Sequence, residues 1–331
     1  KCDECCFRNC KITHEIMDDF HLPYPSFSPK HKIGFENQLL FFGSCFSNNI
    51  GQLAKDHGFN SLSNPFGTIF HPSPIKDCIT SSIRSSQDIH YVDAVNFVSD
   101  WNSAHALQSN SKELHRELIL RKRKEVRDAL SGEAWLFITL GTSIAYRHKS
   151  SNKIVANCHK QQNELFIKES SSPMEMFSEW SPFVQELLEW NPKLKVVFTV
   201  SPVRHIRDGL IENNRSKARL FVLIEMLLNA FPVSYYPSFE IIHDSLRDYR
   251  FFNEDMVHPN NQSIREIWEH FLKSYTTKND EVLANKIFKL HTSRKHRNIN
   301  GNKIEMEKLE AWKEKQQKEI DLLFASRTKK P

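Results

Sequence analysis

The chain has 331 residues, of which 39% are hydrophobic and 26% charged, enough for one large domain with appendages around a packed core. Its net charge of +5 lies largely in late runs such as SRKHRN and RTKK, which read as solvated surface, so no nucleic-acid partner is expected. No apolar run reaches the roughly 18 residues that a membrane span needs.

Residues 1–36 read as a polar, irregular segment in which HLPYPSFSP breaks any helix. Four of the seven cysteines, Cys2, Cys5, Cys6 and Cys10, crowd the first ten residues. Their C-x2-C-C-x3-C spacing could hold a zinc ion, but no second knuckle follows nearby, and a tail without metal is expected. This stretch also lacks a signal peptide's apolar region, and Cys45, Cys78 and Cys158 are scattered as in a reducing compartment, so a cytoplasmic protein is expected.

Residues 37–275 read as the main domain. LLFFG at 39–43 is a short apolar run ended by a glycine, as a buried parallel strand would be. SNNIGQLAKDHGF follows as a helix with Ile50, Leu53 and Ala54 on its apolar face and Gly58 as its stop. Pro65, Pro72 and Pro74 mark a loop, and from 73 to about 130 the pattern is mixed and mainly helical, with KELHRELILRKRKEVRDAL amphipathic. Further strands are expected at AWLFITLG, LKVVFTVS and FPVSYYPSFEII. In SIREIWEHFLKSY, Ile264, Ile267, Trp268, Phe271 and Leu272 recur at the spacing of a core-facing helix. Strands alternating with helices predict a three-layer α/β/α sandwich with a mainly parallel sheet. Residues 276–331 read as a charged helical extension, a candidate element for self-association.

In such folds, sites lie at the carboxyl edge of the sheet. Gly43 and Gly141 end strands, and Gly67 sits in the loop after a second strand. Just past Gly43 stand Ser44 and Cys45, both possible nucleophiles. A thiol is intrinsically the better one near neutral pH, but Gly43 gives the chain room to turn, which favours presenting Ser44. Asp255 and His258 in NEDMVHPN are three apart, a spacing that on a helical turn puts the carboxylate beside the imidazole. The carboxylate would orient the ring, and His258 would serve as general base. Their structural reading is a capping Asp and a surface His.

GSCFSNNIG, NPFGTIFHP, LGTSIAYR, VANCHK, TVSPVRHIRDG and DYRFFNEDMVHPN, in that order over about residues 38–275, resemble the GSCFA family, within the SGNH (GDSL-like) hydrolase superfamily. The resemblance implies a flavodoxin-like hydrolase fold and a serine esterase or O-acyltransferase acting through an acyl-enzyme, with no cofactor and with a small-molecule or glycan ester as substrate. It implies Ser44 as nucleophile with Asp255 and His258, and an oxyanion hole from the N–H groups of Ser44 and Gly67. Ser143 stands where the superfamily has an oxyanion-hole Asn. A hydroxyl has one hydrogen to donate where an amide has two, so Asn157, His159, Asn213, Asn214 and Lys217 are candidates to compensate. Arg204 could bind an anionic part of the substrate or form a salt bridge inside the domain. The alternative is an SGNH-like fold that binds without turnover.

Overall fold

A computed structural model describes residues 22–25, 27–94, 96–295 and 303–327. The cysteine-rich stretch and its metal question lie outside the described residues. The strands in chain order are β1 (Gln38–Gly43), β2 (Asn60–Ser63), β3 (Tyr91–Ala94), β4 (Phe97–Asp100), β5 (Ala134–Leu140), β6 (Ile144–His148), β7 (Lys153–Ile154), β8 (Phe166–Ser170), β9 (Lys195–Val200) and β10 (Ser234–Tyr235). The helices are α1 (Cys45–Asp56), α2 (Pro72–Ile83), α3 (Lys112–Ala129), α4 (Pro173–Trp190), α5 (Gly209–Ala230), α6 (Ser238–Glu240), α7 (Asn261–Tyr275), α8 (Lys278–Lys295) and α9 (Lys303–Arg327).

The main sheet has the order β10-β9-β5-β1-β2, with every neighbouring pair parallel. The continuous apolar runs take its central positions, since a strand covered on both faces needs no polar side. All seven residues of β5 are buried. Along β1, Leu40 and Phe42 join the core under α2, α3, α4 and α5, while Leu39 and Phe41 join the core under α1 and α7, as a period of two requires. The expected three layers are therefore present.

Three elements differ from the sequence reading. The expected fourth strand shrinks to Ser234–Tyr235, because Pro237 cannot donate to a ladder and Ser238–Leu246 coils instead into α6 and a π-helical turn. The stretch between α2 and α3 contains an antiparallel hairpin, β3–β4. A second antiparallel sheet, β7-β6-β8, follows β5. The extension begins with α8, which packs onto the domain: Phe288 stacks on His57 of the α1 C-cap at 4.2 Å, and Ala284 is fully buried.

Gly43 fixes how closely β1 approaches β5. Its φ is +127°, and a Cβ there would stand 2.0 Å from the Thr139 carbonyl oxygen. Gly43→Ala should cost about 3–5 kcal/mol, through backbone strain plus overpacking. Urea unfolding measures it; a loss below about 1 kcal/mol would mean that the strands part easily.

Candidate active site

The end of β1 is held by Asn64, just past β2. Asn64 Oδ1 accepts the Gly43 N–H at 2.8 Å, and its Nδ2 donates to the Ser44 carbonyl at 3.2 Å and to Asn48 Oδ1 at 2.9 Å. Ser44 is the N-cap of α1, but its hydroxyl makes no capping bond. It donates instead to Ser201 Oγ at 2.9 Å, just past β9, and Ser201 Oγ in turn accepts the Val203 N–H. Ser44 is only 1% exposed. Ser44 thus stands just past β1 at the sheet edge, and its buried hydroxyl ties the ends of β1 and β9 together.

Cys45 opens α1 and is half-buried. Burial pushes its thiol up, and Asp255 adds to this. Against them, the N–H groups of Phe46 and of Cys45 itself point at the sulfur, and Lys217 adds positive potential. Such donors are what the first turn of a helix leaves unpaired, but burial outweighs them and the thiol stays above its ordinary value.

Asp255 and His258 come together, although in a loop rather than on a helical turn. The Met256 backbone is left-handed at φ 57°, and the Asn253 N–H donates to the His258 carbonyl at 2.8 Å. Asp255 Oδ1 accepts the N–H groups of Val257 and His258, and Oδ2 accepts His258 Nδ1–H at 2.7 Å. The two backbone N–H groups, with the imidazole, hold the Asp255 carboxyl down at about 2. With Nδ1–H committed to the carboxylate, the Nε2 lone pair is the free one, which is the tautomer a general base needs.

The folding of α1 and α7 puts this pair at the same edge as Cys45. Both helices pack on one face of the sheet, through Phe46, Ile50 and Ala54 on α1 and Ile264, Ile267, Trp268 and Phe271 on α7. The end of α7 meets the amino edge, where the Ile33 N–H donates to the Tyr275 carbonyl. Its start, three residues after His258, therefore lies at the carboxyl edge, as does the start of α1. The Arg204 N–H reaches the Val257 carbonyl at 3.5 Å, linking the His258 loop to the chain after β9.

The expected oxyanion donors are engaged within the fold. The Ser44 N–H donates to the Thr139 carbonyl at 3.3 Å and the Gly67 N–H to the Asn64 carbonyl at 2.7 Å. Gly67 serves a turn at φ +78° that passes Ala104 closely. Ser143 is fully buried, with its N–H and hydroxyl both on Ser216 Oγ. Asn157 Oδ1 accepts the His159 N–H, and His159 Nε2 donates to the Asp100 carbonyl. Asn213 Oδ1 accepts the His205 N–H, and its Nδ2 donates to Asn214 Oδ1. Lys217 is 3% exposed, and its Nζ donates to the carbonyls of Gly141 and Ser201, the ends of β5 and β9. Burial brings it down to about 7. Sequence reasoning missed Asn64 and Ser201, which hold the ends of β1 and β9. Arg204 lines a cavity of about 520 Å³ that Asp255 also borders.

Among the described residues no cluster of three or more His, Cys, Asp or Glu could hold a metal ion, and no helix is long and apolar enough to cross a membrane. Comparison with curated proteins and with solved structures gave no match. The model of the GSCFA family matches residues 38–271, a span that runs from β1 into α7 and takes in the turn at Gly43 and the Asp255–His258 loop. The chain belongs to the GSCFA family.

Proposed function

We propose that this protein is an acyl-transfer enzyme, an esterase or an O-acyltransferase, that works through a covalent acyl-enzyme at the carboxyl edge of the sheet. The observation that carries the reading is the 2.7 Å Asp255–His258 contact, which leaves Nε2 as the free base, with Asp255 near enough to Cys45 to act on its thiol. In this reading His258 takes the proton of the Cys45 thiol, and the sulfur attacks the ester carbonyl. The N–H groups of Cys45 and Phe46 bind the oxyanion that forms. Collapse expels the alcohol, which takes the proton back from His258. Water or a second alcohol, deprotonated by His258, then cleaves the thioester and frees Cys45. The three-layer fold, with the pair just before the last helix of the domain, also supports an SGNH-like ancestry.

Ser44 remains the second candidate for the nucleophile, favoured by its position at the strand end and by the superfamily resemblance. Binding without turnover is the rival reading, favoured because His258 makes no hydrogen bond to Ser44 or Cys45 among the described residues. Incubation with acetylated sugars and aryl acetates, acid quench and mass analysis test all three. An acyl adduct on Cys45 is expected. An adduct on Ser44 gives the serine mechanism, whereas neither adduct nor acyl release from any ester would sink the enzyme reading.

For self-association we propose α9. It lies on α8 through Ile320, and Phe324 meets Phe35 edge-on just before β1, at the amino edge away from the site. Leu322 is 70% exposed. Deleting residues 303–331 should change the sedimentation coefficient of the assembly and leave turnover within about twofold, since no group of the site is removed. Lost turnover at unchanged assembly would bring α9 into the site.

A further inference from the structure

Beside Asp255, in the cavity of about 520 Å³, stand two guanidinium groups, Arg204 and Arg247, next to an apolar wall of Tyr249, Phe252 and Met256. Arg204 Nη2 donates to His243 Nδ1 at 3.2 Å, and His243 Nε2–H is committed to the Pro202 carbonyl at 2.8 Å. The partner of Arg204 is therefore a neutral imidazole, which burial and Arg204 itself bring down to about 4. Such a partner aims the guanidinium without cancelling its charge. Arg247 stands in a left-handed conformation at φ 46°, where it ends the π-helical turn, with its N–H on the Ile242 carbonyl. Of the acids nearby, Asp208 pairs with Lys168, Asp248 with Arg250 and Asp255 with the imidazole of His258, and Asp244 forms no ion pair with either guanidinium among the described residues. Neither guanidinium is in an ion pair among the described residues.

Two guanidinium charges against the single carboxylate of Asp255 leave this concave, partly apolar site net positive, and such a site focuses positive potential. The planar fork of arginine suits a carboxylate or a phosphate. A substrate held only by its acyl chain would need neither group. We propose that this cavity is the anion subsite of the ester substrate, which carries a carboxylate or phosphate group held by Arg204 and Arg247 while its ester lies toward His258. The inference rests on the acyl-transfer reading for the role of the ester, but the binding can be measured without turnover.

The test uses the full chain and two sets of matched probes. Calorimetry with phenol, 4-hydroxybenzoate and 4-hydroxyphenyl phosphate reads binding. Turnover of phenyl acetate, 4-acetoxybenzoate and 4-acetoxyphenyl phosphate reads selectivity. The anionic members should bind about tenfold or more tighter than phenol, and the stronger of the two identifies the group. Arg204→Gln and Arg247→Gln should each reduce that charge preference about tenfold, with Arg204→Lys keeping part of it. Equal binding of charged and neutral probes to the unaltered protein would overturn the subsite whatever the variants do. Anion binding with no ester cleaved would leave the subsite and sink the acyl-transfer reading. Cleavage without charge preference would do the reverse.

Discussion

Cys45→Ala should reduce acyl release by several orders of magnitude, as loss of an attacking group does in other acyl-transfer sites, while Ser44→Ala should keep most of it. The difference lies in where the two side chains go. Ser44 is two residues after Phe42 and continues its side of the pleat, so its hydroxyl turns toward Ser201, whose carbonyl Lys217 holds. Cys45 belongs to the first turn of α1, a helix that packs through Phe46, Ile50 and Ala54 on the same side of the sheet as α7. Ser44→Ala removes one buried hydrogen bond and should cost about 1 kcal/mol of stability. Cys45→Ser is the sharper control, because it keeps the geometry and replaces a thiol by a hydroxyl of much higher pKa. It should lose at least about a hundredfold if the base has to work on a serine. Alkylation of the unaltered protein by iodoacetamide should block turnover, with the label on Cys45 and with substrate protecting. Full activity in Cys45→Ala together with none in Ser44→Ala would return the nucleophile to Ser44.

The choice between these two side chains marks where the sequence was readable and where it was not. The central strands announce themselves, since AWLFITL and LLFF can be stable only with both faces covered. The edge strand β2, NSLS, has no such run and is marked only by the turn residues that follow it. β10 is cut to two residues by a proline, and the β7-β6-β8 sheet carries residues as mixed as YRH and IKE. At the site, D-x-x-H was legible as a pair because a carboxylate three residues from a histidine can reach it in a loop as well as on a helix. The direction of Ser44 was not legible. A glycine at a strand end shows that the chain turns, but which neighbour faces outward depends on the pleat and on which layer the next helix joins. Asn64 left a trace, an Asn before Pro close to a glycine, yet its two bonds to the Gly43–Ser44 segment depend on β2 lying beside β1, a long-range pairing. Lys217 could be named as a donor, but that it serves two strand-end carbonyls follows only from how α5 packs.

His258→Gln should lower acyl release about a thousandfold or more, and Asp255→Asn should come close to it without touching the substrate. Gln has no lone pair basic enough to take the thiol proton, so the first variant removes the base. In the second, the amide can still accept the N–H groups of Val257 and His258 through Oδ1, so the loop should keep its shape. What changes is the other atom: Nδ2 of Asn donates where Oδ2 of Asp accepted His258 Nδ1–H. The ring must then turn, or move its proton to Nε2, and in either case the lone pair that Asp255 positions is lost. Because Asp255 stays ionised down to about 2, its own titration should leave no limb in the activity profile above that range. The double variant should be no slower than His258→Gln alone, since a carboxylate that acts by orienting the ring has nothing left to orient. Thermal unfolding of Asp255→Asn should stay close to that of the unaltered protein, separating lost chemistry from a lost loop. If both single variants kept turnover within about threefold, the pair would be a loop fastening and the base would have to be sought elsewhere along this edge.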